Sequence, residues 1–121
     1  MTTVPSPTDF LFISDPGHGW LVCDVDAVNE VGLSMFEFSS YSFGQNGALF
    51  LEEDCDATLF VLAFEAHHGR KPTLSFVDVP AFDRNKARLP GTGYSYERWA
   101  QKCKALDLLI ASRKLAEGEA A

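Results

Sequence analysis

Between residues 1 and 69 the sequence contains no lysine and no arginine, although eleven aspartates and glutamates lie there. The remaining 52 residues hold all ten bases and six acids, so the net charge of −7 combines a charge of −11 with one of +4. The negative part repels a phosphate backbone, which disfavours broad nucleic-acid contact by residues 1–69 and favours a basic protein surface or a divalent cation. The same acids would also keep a phenylalanine-rich domain soluble without any partner.

No apolar run approaches the roughly 20 residues that cross a bilayer, and residues 1–9 lack the basic start and apolar stretch of a secretion signal. We therefore expect no membrane contact and a cytoplasmic location. The three cysteines include no C-x-x-C pair, so we expect reduced, buried thiols rather than a disulfide scaffold. The Walker loop, the dinucleotide fingerprint and the G-x-S-x-G elbow are also missing, which excludes the commonest nucleotide-binding and hydrolase signatures.

Short apolar runs separated by turn residues predict an α+β fold. We expect an antiparallel sheet of about five strands packed on a buried helix, followed by a C-terminal amphipathic helix. The predicted strands cover residues 10–14, 20–25, 36–43, 48–52 and 73–79, and the predicted helices cover residues 26–31, 54–68 and 96–116. Residues 1–9 are predicted to be a loose leader, residues 10–93 a single domain, and residues 94–121 a helical extension that docks on its own domain or on a partner.

Four carboxylates in five residues, Glu52, Glu53, Asp54 and Asp56, stand where the fourth predicted strand gives way to the central helix. This acidic run has two interpretations. Acidic side chains at a helix N-terminus cap free N–H groups and meet the positive end of the helix dipole. Carboxylate oxygens are also the ligands that Mg²⁺ and Ca²⁺ prefer, although the D-x-[DN]-x-[DN]-G order of a calcium loop is missing.

His18 lies in the first predicted turn between two glycines, close in sequence to Asp15 and Trp20. The glycines give it the freedom to reach a ligand, and a histidine is suited to act as a general acid or base. It equally fits the tip of a hairpin without any chemistry. His67 and His68 end the central helix, where adjacent side chains point about 100° apart, so we expect no zinc-type i, i+4 pair from them.

Three motifs in order carry a resemblance: residues 14–21 read SDPGHGWL, residues 39–43 read SSYSF, and residues 51–57 read LEEDCDA. Together they resemble a family of small uncharacterised proteins encoded by bacteriophages, prophages and plasmids, with the pattern SDPGHGWL, SSYSY and YLEEDCDA. The resemblance covers residues 10–64, with a weaker echo at 82–90, and Phe43 and Phe50 stand where that pattern has, or often has, tyrosine. It implies a mobile-element accessory protein of the bacterial cytoplasm and brings no particular activity.

These observations predict a non-catalytic acidic binding protein that docks on a basic surface of a host or phage protein and inhibits a host-defence or nucleic-acid-handling protein. The expected contact residues are Asp15, His18, Trp20 and the acidic run, and no cofactor is expected. The alternative is a hydrolase in which the acidic run holds Mg²⁺ or Ca²⁺ and His18 is the acid or base. A third hypothesis, imitation of DNA, requires the carboxylates to stand in rows with phosphate-like spacing.

Overall fold

The computed structural model describes residues 9–80, 82 and 87–120, so all of the predicted leader but Asp9 lies outside the described residues. The described chain has an α+β fold, as predicted. None of its helices is both long enough and apolar enough to cross a membrane. In order, the elements are β1 (Phe10–Asp15), β2 (His18–Asp24), α1 (Val25–Glu30), a 3-10 turn (Met35–Glu37), β3 (Phe43–Gln45), β4 (Ala48–Glu52), α2 (Asp56–His68), β5 (Leu74–Asp78), β6 (Ala87–Arg88) and α3 (Tyr96–Ala120).

The six described strands form one sheet in the order β5-β1-β2-β4-β3-β6. Four strand pairs are antiparallel, whereas β1 and β5 are parallel. The sheet is therefore mostly antiparallel, as predicted, with one parallel pair that the sequence pattern did not indicate. The parallel pair arises because α2 is a crossover connection, which lets β5 run in the same direction as β4 and β1.

Both predicted hairpins form, and the second has a turn whose residues explain it. Asn46 and Gly47 have φ angles of 51° and 83°, so both central residues of the β3–β4 turn are left-handed. That conformation fits the right-handed twist of paired strands and favours the Asn-Gly dipeptide. The predicted strand over residues 36–43 is wrong before Phe43, because Ser34 and Glu37 form a capping box that starts a 3-10 turn instead.

The helices lie on one face of the sheet. Phe10 of β1 packs edge-on against Phe60 and Phe64 of α2, with ring centroids 5.0 and 5.6 Å apart. α2 ends at Gly69, which adopts the left-handed conformation at φ 77° and confirms the predicted helix end. The helix predicted from residue 26 is capped by Asp24 instead, whose carboxylate accepts the N–H of Ala27 at 2.8 Å.

α3 docks on its own domain rather than projecting from it. The apolar stripe predicted from the sequence supplies the contact, since Cys103 and Ile110 are buried and Trp99 packs against the core. The indole N–H of Trp99 also donates to the backbone oxygen of Cys55 at 2.8 Å. Arg113 donates from its guanidinium to the backbone oxygen of Ala66 near the end of α2. The part of α3 from Trp99 to Lys114 is thus in contact with α2 and the core.

Asp56, in the first turn of α2, has no solvent exposure and accepts hydrogen bonds from two serines of the loop before β3. Ser39 donates its backbone N–H to Oδ1 at 2.9 Å and its hydroxyl to Oδ2 at 2.7 Å. Ser42 donates its hydroxyl to Oδ2 at 2.5 Å and accepts the N–H of Glu52 at 2.9 Å. Asp56 therefore ties the 39–42 loop both to α2 and to the end of β4.

Replacing Asp56 by asparagine is expected to lower the free energy of unfolding by roughly 2–3 kcal/mol, because an amide nitrogen cannot accept the buried serine hydrogen bonds. Urea unfolding followed by circular dichroism measures the change. The matched control is Asp54→Asn at an exposed position two residues earlier, which is expected to change the free energy by less than about 0.5 kcal/mol. Equal losses from the two substitutions would contradict a structural role for Asp56.

Candidate functional site

A cleft of about 460 Å³ opens where β2 begins and β4 ends. Trp20 pairs with Glu52 across these antiparallel strands, and His18 lies two residues before Trp20 on β2. Because side chains alternate along a strand, all three project from the same face of the sheet. This face is opposite to the one that α2 covers. The remaining lining residues are Gly17, Tyr41, Phe43, Asp54, Cys55, Arg88 and Tyr94.

Aromatic rings form the floor of this cleft. Trp20 is only 2% exposed, and its ring centroid lies 5.7 Å from that of Phe43 and 4.8 Å from that of Phe82. His18 stacks on Trp20 with centroids 5.9 Å apart and ring planes inclined by 15°. Tyr41, at the rim, is 67% exposed. The floor is therefore fixed by packing, whereas the tyrosine ring at the rim is open to a ligand.

The four side chains of the acidic run lie in three different environments. Glu52 and Asp54 line the cleft, but Glu53 lines a separate hollow together with Phe12 and residues of α2 and α3. Asp56 is buried beneath the 39–42 loop, where serines occupy its oxygens. Within the described part of the chain, no three side chains of this run bring their ligand atoms within 4.8 Å of one another. The structure thus unites two of the four predicted carboxylates with His18 and separates the others.

Glu52 accepts two backbone N–H groups from the turn between β4 and α2. Its Oε1 accepts the N–H of Asp54 at 3.1 Å and its Oε2 accepts the N–H of Cys55 at 3.2 Å. Burial of this half-buried carboxyl raises its pKa above the usual 4.5, the two N–H donors oppose the rise, and the neighbouring charges of Asp54 and Asp56 add to it. The N-cap residue of α2 is Cys55, and no side-chain hydrogen bond caps the helix there, so the capping expected of the acidic run is not observed. Glu52 instead holds the turn before the helix and contributes negative charge to the cleft.

Sequence reasoning assigned no binding role to three further lining residues, Cys55, Arg88 and Tyr94. The Cys55 thiol donates to the Tyr94 hydroxyl oxygen at a separation of 3.4 Å, and burial raises the pKa of Cys55 to about 11. The thiol is therefore protonated at neutral pH and is a poor nucleophile. Arg88 donates to the backbone oxygen of Ser40 at 3.0 Å. Both Arg88 and Tyr94 come from the connection after β5, where no periodicity marks a residue as buried or exposed.

Asp15 and His18 form the last register pair of the first hairpin, one on each side of its turn. Asp15 is not among the residues that line the cleft. The structure therefore brings His18, Trp20, Glu52 and Asp54 together from the predicted contact set. It places Asp15, Glu53 and Asp56 elsewhere.

The carboxylates of residues 9–69 do not form one continuous surface. Among the described residues, three of them pair with bases from the C-terminal part of the chain: Asp9 with Arg70 at 2.7 Å, Glu37 with Lys102 at 3.5 Å, and Glu65 with Lys114 at 3.7 Å. Two other groups lie at opposite ends of the β2–β4 pair, one around the cleft and one around α1. A row of phosphate-like charges, as imitation of DNA requires, is therefore not supported.

Comparison of the chain with family models, with curated proteins and with solved structures gave no significant match. The resemblance to mobile-element proteins described above accordingly remains a prediction.

The separation of the acidic run predicts that Mg²⁺ and Ca²⁺ do not bind at the cleft with millimolar or tighter affinity, since the ligand set these ions prefer is not assembled there. Isothermal titration calorimetry with each ion measures this directly. Asp54→Asn provides the control, because it removes the exposed carboxylate of the cleft while Glu52 keeps its hydrogen bonds to the backbone of residues 54 and 55. Millimolar binding that Asp54→Asn abolishes would contradict this prediction and revive the metal-dependent hydrolase.

Proposed function

We propose that the protein is a non-catalytic binding protein whose cleft receives a basic side chain from a protein partner. The observation that carries the proposal is the convergence of two carboxylates, Glu52 and Asp54, with the aromatic rings of Trp20, Tyr41 and Tyr94 around one cavity. Carboxylates attract an ammonium or guanidinium group, and aromatic faces attract the same cations through their quadrupoles. A cleft that offers both favours a lysine or arginine side chain over a neutral one.

Arg88 makes the cleft selective in a second way. Its guanidinium is held by the Ser40 backbone oxygen, so a positive group remains at one wall while Glu52 and Asp54 provide negative charge elsewhere. A partner that places its own basic side chain near the carboxylates avoids repulsion by Arg88. A uniformly basic probe would meet that repulsion. We therefore expect a single basic residue with neutral or acidic neighbours to bind better than a polybasic stretch.

The resemblance to phage, prophage and plasmid proteins extends this proposal to the identity of the partner. A mobile-element accessory protein acts on the proteins of its host, and the basic surfaces most exposed there belong to proteins that handle nucleic acids or defend against invading DNA. We propose inhibition of such a protein in the bacterial cytoplasm. Occupation of a basic patch by the acidic cleft would block the approach of a phosphate backbone to that patch.

Titration of ¹⁵N-labelled protein with short peptides tests the proposal. A peptide with one central arginine or lysine is expected to shift the resonances of the cleft, whereas the same peptide with glutamate or alanine at that position is expected to shift none. Asp54→Lys should weaken the binding by about tenfold or more, equivalent to about 1.4 kcal/mol. Glu117→Lys, an equal charge change at an exposed position on α3, is the control and should leave the affinity within about twofold.

Shifts that spread over the surface instead of the cleft, or equal losses of affinity in Asp54→Lys and Glu117→Lys, would show that only net charge matters.

Tyr41→Ala separates the aromatic contribution from the charge. It is expected to weaken an arginine peptide severalfold, since cation–π contacts at exposed sites contribute about 0.5–1 kcal/mol. Retention of full affinity in Tyr41→Ala would remove the rim tyrosine from the proposed site.

The pH dependence of this binding follows from Glu52. Its pKa lies above the usual 4.5 because of burial, so its negative charge is lost, as the pH falls, earlier than that of an ordinary glutamate. Peptide affinity measured on the Asp54→Asn background, where Glu52 is the remaining carboxylate of the cleft, should therefore begin to fall at a pH above 4.5. A constant affinity down to that pH would exclude Glu52 from cation binding.

A metal-dependent hydrolase is the second candidate. The observation that favours it is the shared cleft, in which His18 lies on the same face of the sheet as Glu52 and close to Asp54. The separation of Glu53 and Asp56 leaves it with two carboxylates rather than four. The titration with Mg²⁺ and Ca²⁺ described above distinguishes this candidate from the binding protein.

A further inference from the structure

A second cluster of chemically active side chains lies far from the cleft, where the ends of α1 and α2 meet. Glu30 is the last residue of α1, and His67 and His68 are the last two residues of α2. One ligand atom from each of the three lies within 4.8 Å of the other two, and all three residues are exposed. We propose that these side chains form a binding site for a late first-row divalent cation, with Zn²⁺ as the principal ligand.

The donor set matches this class of ion. Two imidazole nitrogens and one carboxylate oxygen suit Zn²⁺, whereas Mg²⁺ and Ca²⁺ prefer oxygen ligands alone. Tetrahedral zinc with bonds of about 2.0–2.2 Å keeps its ligand atoms roughly 3.4 Å apart. The Nε2 of His68 already lies 3.3 Å from Oε1 of Glu30. Only the remaining separations, up to 4.8 Å, must shorten, and exposed side chains do this by small torsional changes.

The fold brings together two histidines that an ideal helix would direct apart. The rings of His67 and His68 lie perpendicular to each other with centroids 4.7 Å apart, at the last turn of α2. Phe64, one turn earlier, supports the His68 ring at a centroid distance of 4.2 Å. The third ligand comes from α1, 37 positions earlier in the chain than His67. Sequence spacing could not indicate this site, because its ligands include neither an i, i+4 pair nor a local motif.

The electrostatic surroundings favour a cation at this position. A hollow of about 380 Å³ beside His68 is lined by Asp9, Asp24, Asp26 and Glu30, with Arg70 as the lining base. The guanidinium of Arg70 is bound by Asp9 through two hydrogen bonds of 2.7 and 3.1 Å, so its charge is largely offset. The C-terminal end of α2 adds the negative pole of the helix dipole.

Occupation of the site would clamp α1 to α2. Zn²⁺ that binds the folded chain more tightly than the unfolded chain raises stability in proportion to the logarithm of its concentration. Three protein ligands also leave a fourth tetrahedral position for water or for a group from another molecule. The site is separate from the cleft and does not depend on the proposed binding function.

Calorimetric titration of tag-free protein with ZnCl₂ tests the proposal. We expect one equivalent of Zn²⁺ to bind, a rise in the melting temperature, and selective shifts of the His67 and His68 ring protons. His67→Gln should weaken binding by at least about tenfold, because even outer-shell partners of a metal contribute 10–100-fold to its affinity. Glu30→Gln should also weaken binding. His18→Gln removes a histidine from the cleft and should leave the zinc affinity unchanged.

His67 is the preferred substitution because it is exposed, whereas His68 packs on Phe64 and its loss would also disturb the fold. Circular dichroism of the apo variants checks that each one folds. The proposal is overturned if Zn²⁺ produces no response at millimolar concentration, or if His67→Gln binds as tightly as the parent. It is also overturned if light scattering shows that Zn²⁺ binds only by joining two copies of the chain.

Discussion

The buried carboxylate of Asp56 holds together three segments that are separate in the sequence. Its oxygens accept four hydrogen bonds from Ser39 and Ser42 at 2.5–3.1 Å, and the Ser42 hydroxyl oxygen also accepts the backbone N–H of Glu52. The loop that presents Tyr41, the start of α2 and the end of β4 are thereby fixed relative to one another. These segments supply Tyr41, Glu52 and Cys55 to the cleft, so this side of the cleft depends on the hydrogen bonds of Asp56.

Two opposing effects act on the pKa of the buried Asp56 carboxyl group. Burial raises the pKa of Asp56 above its usual 3.8, because the interior disfavours the charged form, while the hydrogen bonds from Ser42 and Ser39 favour it. A buried carboxylate without such donors would be strongly destabilising. Ser39 and Ser42 therefore bond the Asp56 carboxylate, whereas Ser40 between them is exposed. The composition of residues 36–43, rich in aromatic residues and serine, is typical of a strand. The hydroxyls of Ser39 and Ser42 instead bond Asp56, which lies 17 and 14 residues later in the chain.

Regular elements were predictable wherever the local pattern also determines the packing. The apolar face of α2 and Gly69 after it predicted that helix, and Asn46-Gly47 predicted the second hairpin turn. The direction of β5 and the two-residue strand β6 depend on long-range pairing, for which the sequence carries no local signal. Only part of the cleft lining was predictable, because the directions of neighbouring side chains depend on the strand and helix that hold them. Four adjacent carboxylates look alike in the sequence, yet strand alternation and the helix start send Glu53 and Asp56 away from the cleft.

The position of α3 determines which acids of the N-terminal part of the chain pair with bases of the C-terminal part. Lys102 and Lys114 of this helix pair with Glu37 and Glu65, and twelve residues of helix separate the two lysines by about 18 Å. The basic C-terminal segment thus neutralises acids along the helical layer. It leaves the carboxylates at the two ends of the sheet without those partners, one group beside the aromatic cleft and one beside the histidines of α2. Because pairing offsets part of the negative charge between them, the two sites that we propose would act locally, each selecting its cation by the rings beside its carboxylates.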